Sequence, residues 1–187
     1  MILYLLDFDD TLANTSFPSG SKEAIFAIAK TPQEGRQLYD QTKEENQGMF
    51  MFSQYIQKLG LSPFEAEKKL KPLLQDNLFT DSLDFLHKIK SQENSLAVIV
   101  SYGEPYWQNL KIKLCGADKL VDHIVITDEK HKKNDIQAMI DKYQPKKTIY
   151  IDDSVHVSGE DFDHPVEIHH MDRTKTKKGN DTIHSLK

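Results

Sequence analysis

The chain has one cysteine, Cys115, in 187 residues. No intrachain disulfide can form, and nothing calls for folding in an oxidising compartment. Long hydrophobic runs are also missing: no apolar stretch approaches the ~20 residues that cross a bilayer, and 28% of the residues are charged. A membrane span is excluded and a membrane partner is not expected. There is no excess of base, since 24 Lys+Arg against 29 Asp+Glu leave a net charge of −5. A surface that coats nucleic acid needs a basic face, so nucleic acid is not expected as a ligand. The apolar start, Met1 to Leu6, has no basic flank and runs directly into Asp7-Phe8-Asp9-Asp10. It does not read as a signal peptide, and the expected location is cytoplasmic. Internal repeats and low-complexity tracts are absent too. The length suits one domain with room for a small inserted module, and it buries a core without staples.

Four short apolar runs, at residues 2–6, 96–100, 123–126 and 148–151, are each followed by polar or turn residues, and a weaker fifth covers 166–169. Apolar on both faces and rich in β-branched residues, they predict parallel strands covered by helices on both sides. A helical pattern through Tyr106, Leu110 and Leu114 can end at Gly116, and Ile136, Met139, Ile140 and Tyr143 repeat at helical spacing before Pro145. Strand and helix alternate as in a doubly wound α/β sheet.

The first connection is far too long for that scheme, because about 85 residues separate Asp10 from the strand at Leu96, where a crossover needs ~10–12. Thr31-Pro32-Gln33-Glu34 and Ser62-Pro63-Phe64-Glu65 each read as a capping box with proline at the first helical position. Further helical patterns cover 22–29, 49–59 and 83–89, and no strand is expected between Leu12 and Leu96. An all-helical module is therefore inserted after the first strand. The expected boundaries are 1–13 and 81–187 for the sheet domain and 14–80 for the module. The stripe Met49, Phe50, Met51, Phe52, Tyr55, Ile56 and Leu59 reads as that module's interior.

Reactive residues gather where the strands end, which is where open parallel sheets bind ligands. The first strand ends at Asp7-Phe8-Asp9-Asp10-Thr11, the second at Ser101-Tyr102-Gly103 and the fourth at Asp152-Asp153-Ser154, while Lys133 opens the helix after the third. Two acidic clusters facing one cleft repel unless a cation joins them, and carboxylates without interleaved Cys or His favour Mg²⁺. Lys130, Lys132 and Lys133 crowd together. Lys133, three residues before the first buried helical position Ile136, is the first choice for the site and Lys132 the second. His156, His164, His169 and His170 invite a zinc site, but their spacing does not fit one. The basic stretch 173–178, with Lys175, Lys177 and Lys178, reads as a solvated end.

In this order the elements resemble the haloacid dehalogenase-like (HAD) superfamily of phosphoryl-transfer enzymes. The resemblance rests on Asp7, Asp9 and Thr11 in an Asp-x-Asp-x-Thr motif, then Ser101, Lys133 and the pair Asp152-Asp153. It implies a Rossmann-like catalytic core with a helical cap, and it implies that Asp7 is the nucleophile and Asp9 the acid and base. Ser101, Lys133 and Thr11 would bind phosphate. Mg²⁺ would be held by Asp7, the backbone carbonyl of Asp9, and Asp153 or Asp152. An Asp two residues after the nucleophile implies phosphate-ester chemistry, because the dehalogenase branch has no alkoxide to protonate. A cap implies a small phosphorylated metabolite as substrate. A phosphomutase of the same superfamily, or a non-catalytic phospho-ligand binding protein on this scaffold, carries the same motifs. A receiver-like signalling domain is rejected by order, since its lysine follows the phospho-accepting Asp.

Overall fold

The computed structural model describes residues 1–175 and 182–186. The chain divides into two compact units, Met1–Ala13, Leu78–Tyr102 and Asp118–Lys187 forming the first and Asn14–Asn77 with Gly103–Ala117 the second. The strands are β1 (Ile2–Leu6), β2 (Ser95–Tyr102), β3 (His123–Thr127), β4 (Lys147–Asp152), β5 (Val166–Met171) and β6 (Thr182–Ile183). In chain order the helices are α1 (Ser21–Ala27), α2 (Pro32–Glu45), α3 (Phe52–Lys58), α4 (Pro63–Leu74), α5 (Thr80–Lys90), α6 (Pro105–Leu114) and α7 (Lys133–Tyr143). None of these is long and apolar enough to cross a membrane.

The first unit is a parallel sheet in the order β3-β2-β1-β4-β5-β6. The expected doubly wound α/β fold is present. Alternation along β1 shows why both faces are covered. Leu3 and Leu5 pack with Ile136 and Ile140 of α7 in one buried cluster, while Tyr4 points the other way and meets Phe85 of α5 edge to face at 5.7 Å. Strand order reverses at β1, whose neighbours are β2 and β4, so the crevice above β1 and β4 is the switch point where such folds bind ligands. The two-residue strand β6, which periodicity does not signal, pairs with the end of β5 through His170 to Thr182 and Met171 to Ile183.

Five helices, α1 to α4 and α6, build the second unit around Phe26, Phe52, Tyr55, Leu70 and Trp107. Helix α6 follows β2 in the chain yet belongs to this unit, and Trp107 packs inside it, 4.7 Å from Phe52 between ring centroids. The two predicted capping boxes differ. Ser62 and Glu65 make the reciprocal pair, with the Glu65 amide donating to Ser62 Oγ at 3.2 Å and the Ser62 amide to Glu65 Oε2 at 2.9 Å. Thr31 receives the Glu34 amide at 3.2 Å, but the Glu34 carboxylate reaches past it to the Lys30 amide. The helix expected over 49–59 starts only at Phe52. Met51 is extended, and the Glu104 carboxylate takes the place of a local cap, accepting from the Phe52 amide at 2.7 Å and from the Ser53 amide at 3.2 Å and hydroxyl at 2.6 Å.

Candidate active site

The apolar strand β1 carries the chain to Leu6, and the next amide, that of Asp7, still donates to the Ile151 carbonyl of β4 at 2.9 Å. That bond extends the pairing one residue past the strand and sets the Asp7 side chain beside Asp152, the last residue of β4. Asp7 and Asp152 are both buried. Between them lies the ammonium of Lys132, 2.5 Å from Asp7 Oδ1 and 2.8 Å from Asp152 Oδ2. The Tyr150 hydroxyl, on the same face of β4 two residues earlier, also donates to Asp152 Oδ2, and the Ser154 amide donates to Oδ1 at 2.6 Å. Asp153 is half-buried, and one carboxylate oxygen from each of Asp7, Asp152 and Asp153 lies within 4.8 Å of the other two.

The lysine of this cluster is Lys132 rather than Lys133, a correction to the first choice made from sequence. Lys133 is half-exposed and faces Asp161 at 3.6 Å. Lys132 is the residue before α7 and has φ +57°, a left-handed backbone that turns its side chain off the helical register and into the crevice. Such a conformation is uncommon outside glycine.

One ammonium faces several carboxylates, and the protonation states follow. Burial raises the Asp7 carboxyl to about 8 against the pull of Lys132, helped by the charges of Asp152, Asp153 and Asp9. Burial, then Asp152 and Asp10, raise Asp153 to about 7, again against Lys132. Burial also acts on Asp152, but there the charge of Lys132 and the bonds from Lys132, Tyr150 and Ser154 outweigh it and hold the carboxyl below its ordinary value. Lys132 is pushed up: burial opposes its charge, and the charges of Asp7 and Asp152 outweigh that effect.

The remaining predicted residues follow β1 or lie at the end of β2. Asp9 and Asp10 are half-buried, and Asp10 turns the loop with φ +56°. Ser101 is 1% exposed and its Oγ has no hydrogen-bond partner, an unmet donor at the end of β2. Thr11, expected at the phosphate, is fully buried, and its hydroxyl accepts the Asp153 amide at 2.9 Å. His156, one of the histidines weighed for zinc, meets Ser154 Oγ at 3.1 Å and the ring of His131 edge to face. Among the described residues the only group able to gather a metal is the acidic trio.

Two participants were not singled out from sequence. Tyr150 could have been found from the two-residue period of its strand. Arg173 was read into a solvated end, yet its side chain is 9% exposed and ion-paired with Asp81 at 2.7 Å. Lys177 and Lys178 lie outside the described residues.

The fold is the haloacid dehalogenase-like fold. A candidate HAD-like hydrolase of Burkholderia xenovorans LB400 matches with a TM-score of 0.68 and 15% identity, over 99% of this chain and 93% of that one. A candidate HAD hydrolase of Bacillus subtilis, bound to magnesium, matches at 0.57 and 17%, over 98% and 94%. A candidate beta-phosphoglucomutase of Thermotoga maritima matches at 0.56 and 13%, over 96% and 89%. Dehalogenases are also among the matching structures. No protein-family model and no curated protein matches the sequence.

Proposed function

We propose that this chain is a Mg²⁺-dependent phosphatase that hydrolyses a small phosphorylated metabolite through an aspartyl phosphate on Asp7. The observation that carries this reading is Lys132 lodged between Asp7 and Asp152, with Asp153 alongside. Support comes from the unpartnered hydroxyl of Ser101 and from Asp9, two residues beyond the nucleophile. An ester leaving group needs a proton from such an acid, and a halide does not.

The donor set fits Mg²⁺. It is made of hard carboxylate oxygens without thiolate or imidazole, with three carboxyl groups to the single ammonium of Lys132. Asp7 and Asp153 would hold the ion, together with the Asp9 carbonyl that the resemblance adds. Asp152 is already engaged at both oxygens by Lys132, Tyr150 and Ser154, so Asp153 is the better direct ligand. Bound there, the ion supplies positive charge that keeps Asp7 ionised and offsets the phosphoryl oxygens.

In the first step Asp7 attacks phosphorus, the ester P–O bond breaks, and Asp9 protonates the departing alkoxide. In the second, Asp9 takes a proton from water, which attacks phosphorus and releases Asp7 and inorganic phosphate. Lys132 provides fixed positive charge and Ser101 a neutral donor for the phosphoryl oxygens in both transition states. The cytoplasm is the compartment we assign, where the free Cys115 stays reduced.

Acid quenching during turnover on a panel of phosphorylated metabolites, followed by peptide mass spectrometry, tests this. One phosphoryl group on the peptide containing Asp7, with release of inorganic phosphate, is expected. Transfer to a sugar phosphate without net phosphate release would identify a phosphomutase, and binding without turnover a non-catalytic protein.

A further inference from the structure

The guanidinium of Arg173, in the turn after β5, has five N–H donors, and the structure shows five bonds. Nε and Nη2 donate to the Thr11 carbonyl at 3.2 and 2.6 Å, Nη1 to both carboxylate oxygens of Asp81 at 2.8 and 2.7 Å, and Nη2 to Ser82 Oγ at 2.9 Å. Its plane lies over the Phe79 ring, 4.2 Å from the centroid. Asp81 is itself fixed from a second side by the Leu186 amide at 2.9 Å. Saturated, stacked and ion-paired, this group is a rigid fitting rather than a surface charge.

What it fits is the loop that carries the nucleophile. Most main-chain groups of that loop are paired close by: the Leu12 and Ala13 amides share the Phe8 carbonyl, the Asp10 amide uses the Ala13 carbonyl, and the Phe79 amide uses that of Leu12. The Thr11 carbonyl takes its bonds from Arg173, 162 residues away. The side chain of the same residue holds the opposite loop, through the Asp153 amide on Thr11 Oγ1. Thr11 is thus pinned from one side by Arg173 and pins Asp153 on the other.

We propose that Arg173 is a positioning residue for the metal-binding carboxylates: through Thr11 it sets the distance between the Asp7 loop and Asp153. The proposal rests on the metal reading given above. It goes beyond the sequence motifs, because Arg173 bonds to Thr11, Asp81 and Ser82 and acts on the carboxylates only through Thr11. Lysine, with three donors on a flexible stem, can pair with Asp81 but cannot also span the Thr11 carbonyl and Ser82.

The test is Mg²⁺ affinity by calorimetry, alongside kcat and KM, in Arg173→Ala and Arg173→Lys, each with its melting temperature recorded. Both variants are expected to bind Mg²⁺ about 10- to 100-fold more weakly, the range found when groups supporting metal ligands are removed. At subsaturating Mg²⁺, kcat should fall with little change in KM for the ester. Guanidinium ion at low, non-denaturing concentration should restore part of the affinity of Arg173→Ala, and ammonium should not. If Arg173→Ala does not fold, Arg173→Lys carries the comparison. Wild-type affinity in a folded sample of either variant overturns the proposal. A wild-type protein that takes up no Mg²⁺ overturns the metal reading, and this inference falls with it.

Discussion

Lys132 and Asp7 are 125 positions apart in the chain and meet at 2.5 Å, both buried. Neither belongs to a helix or strand: Asp7 lies just past the end of β1 and Lys132 just before the start of α7, so the rigid elements fix them while leaving their side chains in the crevice. The neighbouring Lys133 carries the same charge outward to Asp161. Lys132→Ala is therefore expected to lower phosphate release from an aryl phosphate by about 10²- to 10³-fold, as loss of one transition-state donor does. Lys133→Ala should leave it unchanged. Steady-state assays of the pair decide between them, and the reverse pattern would return the role to Lys133.

Proton linkage makes the metal-free protein sensitive to pH. Asp7 and Asp153 hold protons up to about 8 and about 7 in the fold, against 3.8 when unfolded. Between those values the native state binds more protons than the unfolded chain, so the stability from these two groups is full at low pH and is lost as pH rises through 7 and 8. Asp152, held low, works in the opposite sense and only in more acid solution. The melting temperature without metal should fall from pH 5 to pH 8, and Mg²⁺ should raise it most at pH 8. A Mg²⁺ increment equal at both pH values would contradict the assignment.

Ser101 should trade stability for activity. A buried hydroxyl without a partner costs about 1–3 kcal/mol, so Ser101→Ala is expected to stabilise the protein by about 1 kcal/mol in urea denaturation. The same change should cut phosphate release by about 100-fold. A destabilised variant of full activity would mean that the hydroxyl serves packing and not a phosphoryl oxygen.

Glu104 stands in for a helix cap 51 residues away in sequence, at the start of α3. Glu104→Ala leaves the Phe52 and Ser53 amides without their acceptor and should cost about 2 kcal/mol. Hydrogen exchange localises the loss: the Phe52 and Ser53 amides should exchange faster, while those of β1 and β4 keep their protection.

Strands β1 to β5 and the order of the acidic and basic elements were legible because both follow from short-range pattern. Leu3 and Leu5 must be buried, and a polar residue that follows such a run falls at a strand end. The choice between Lys132 and Lys133 was not legible. Helical periodicity extrapolates a regular backbone, and Lys132 sits at φ +57°, outside that regular pattern. The start of α3 was misplaced for a related reason, since its cap comes from Glu104 in another segment. Arg173 was hidden in a run of polar residues, and its anchoring depends on Thr11, Asp81 and Ser82, which are far away in sequence.

The position of β1 has a consequence for how the chain is made. It ends at Leu6, and its two partners begin at Ser95 and Lys147. At ribosomal rates of roughly 5–20 residues per second, an apolar strand with both edges open waits about 5–20 seconds for its first neighbour. During that interval Ile-Leu-Tyr-Leu-Leu is an apolar segment open to chaperones and to mispairing between nascent chains. The central strand that leads into Asp7 is thus also a point of vulnerability during synthesis.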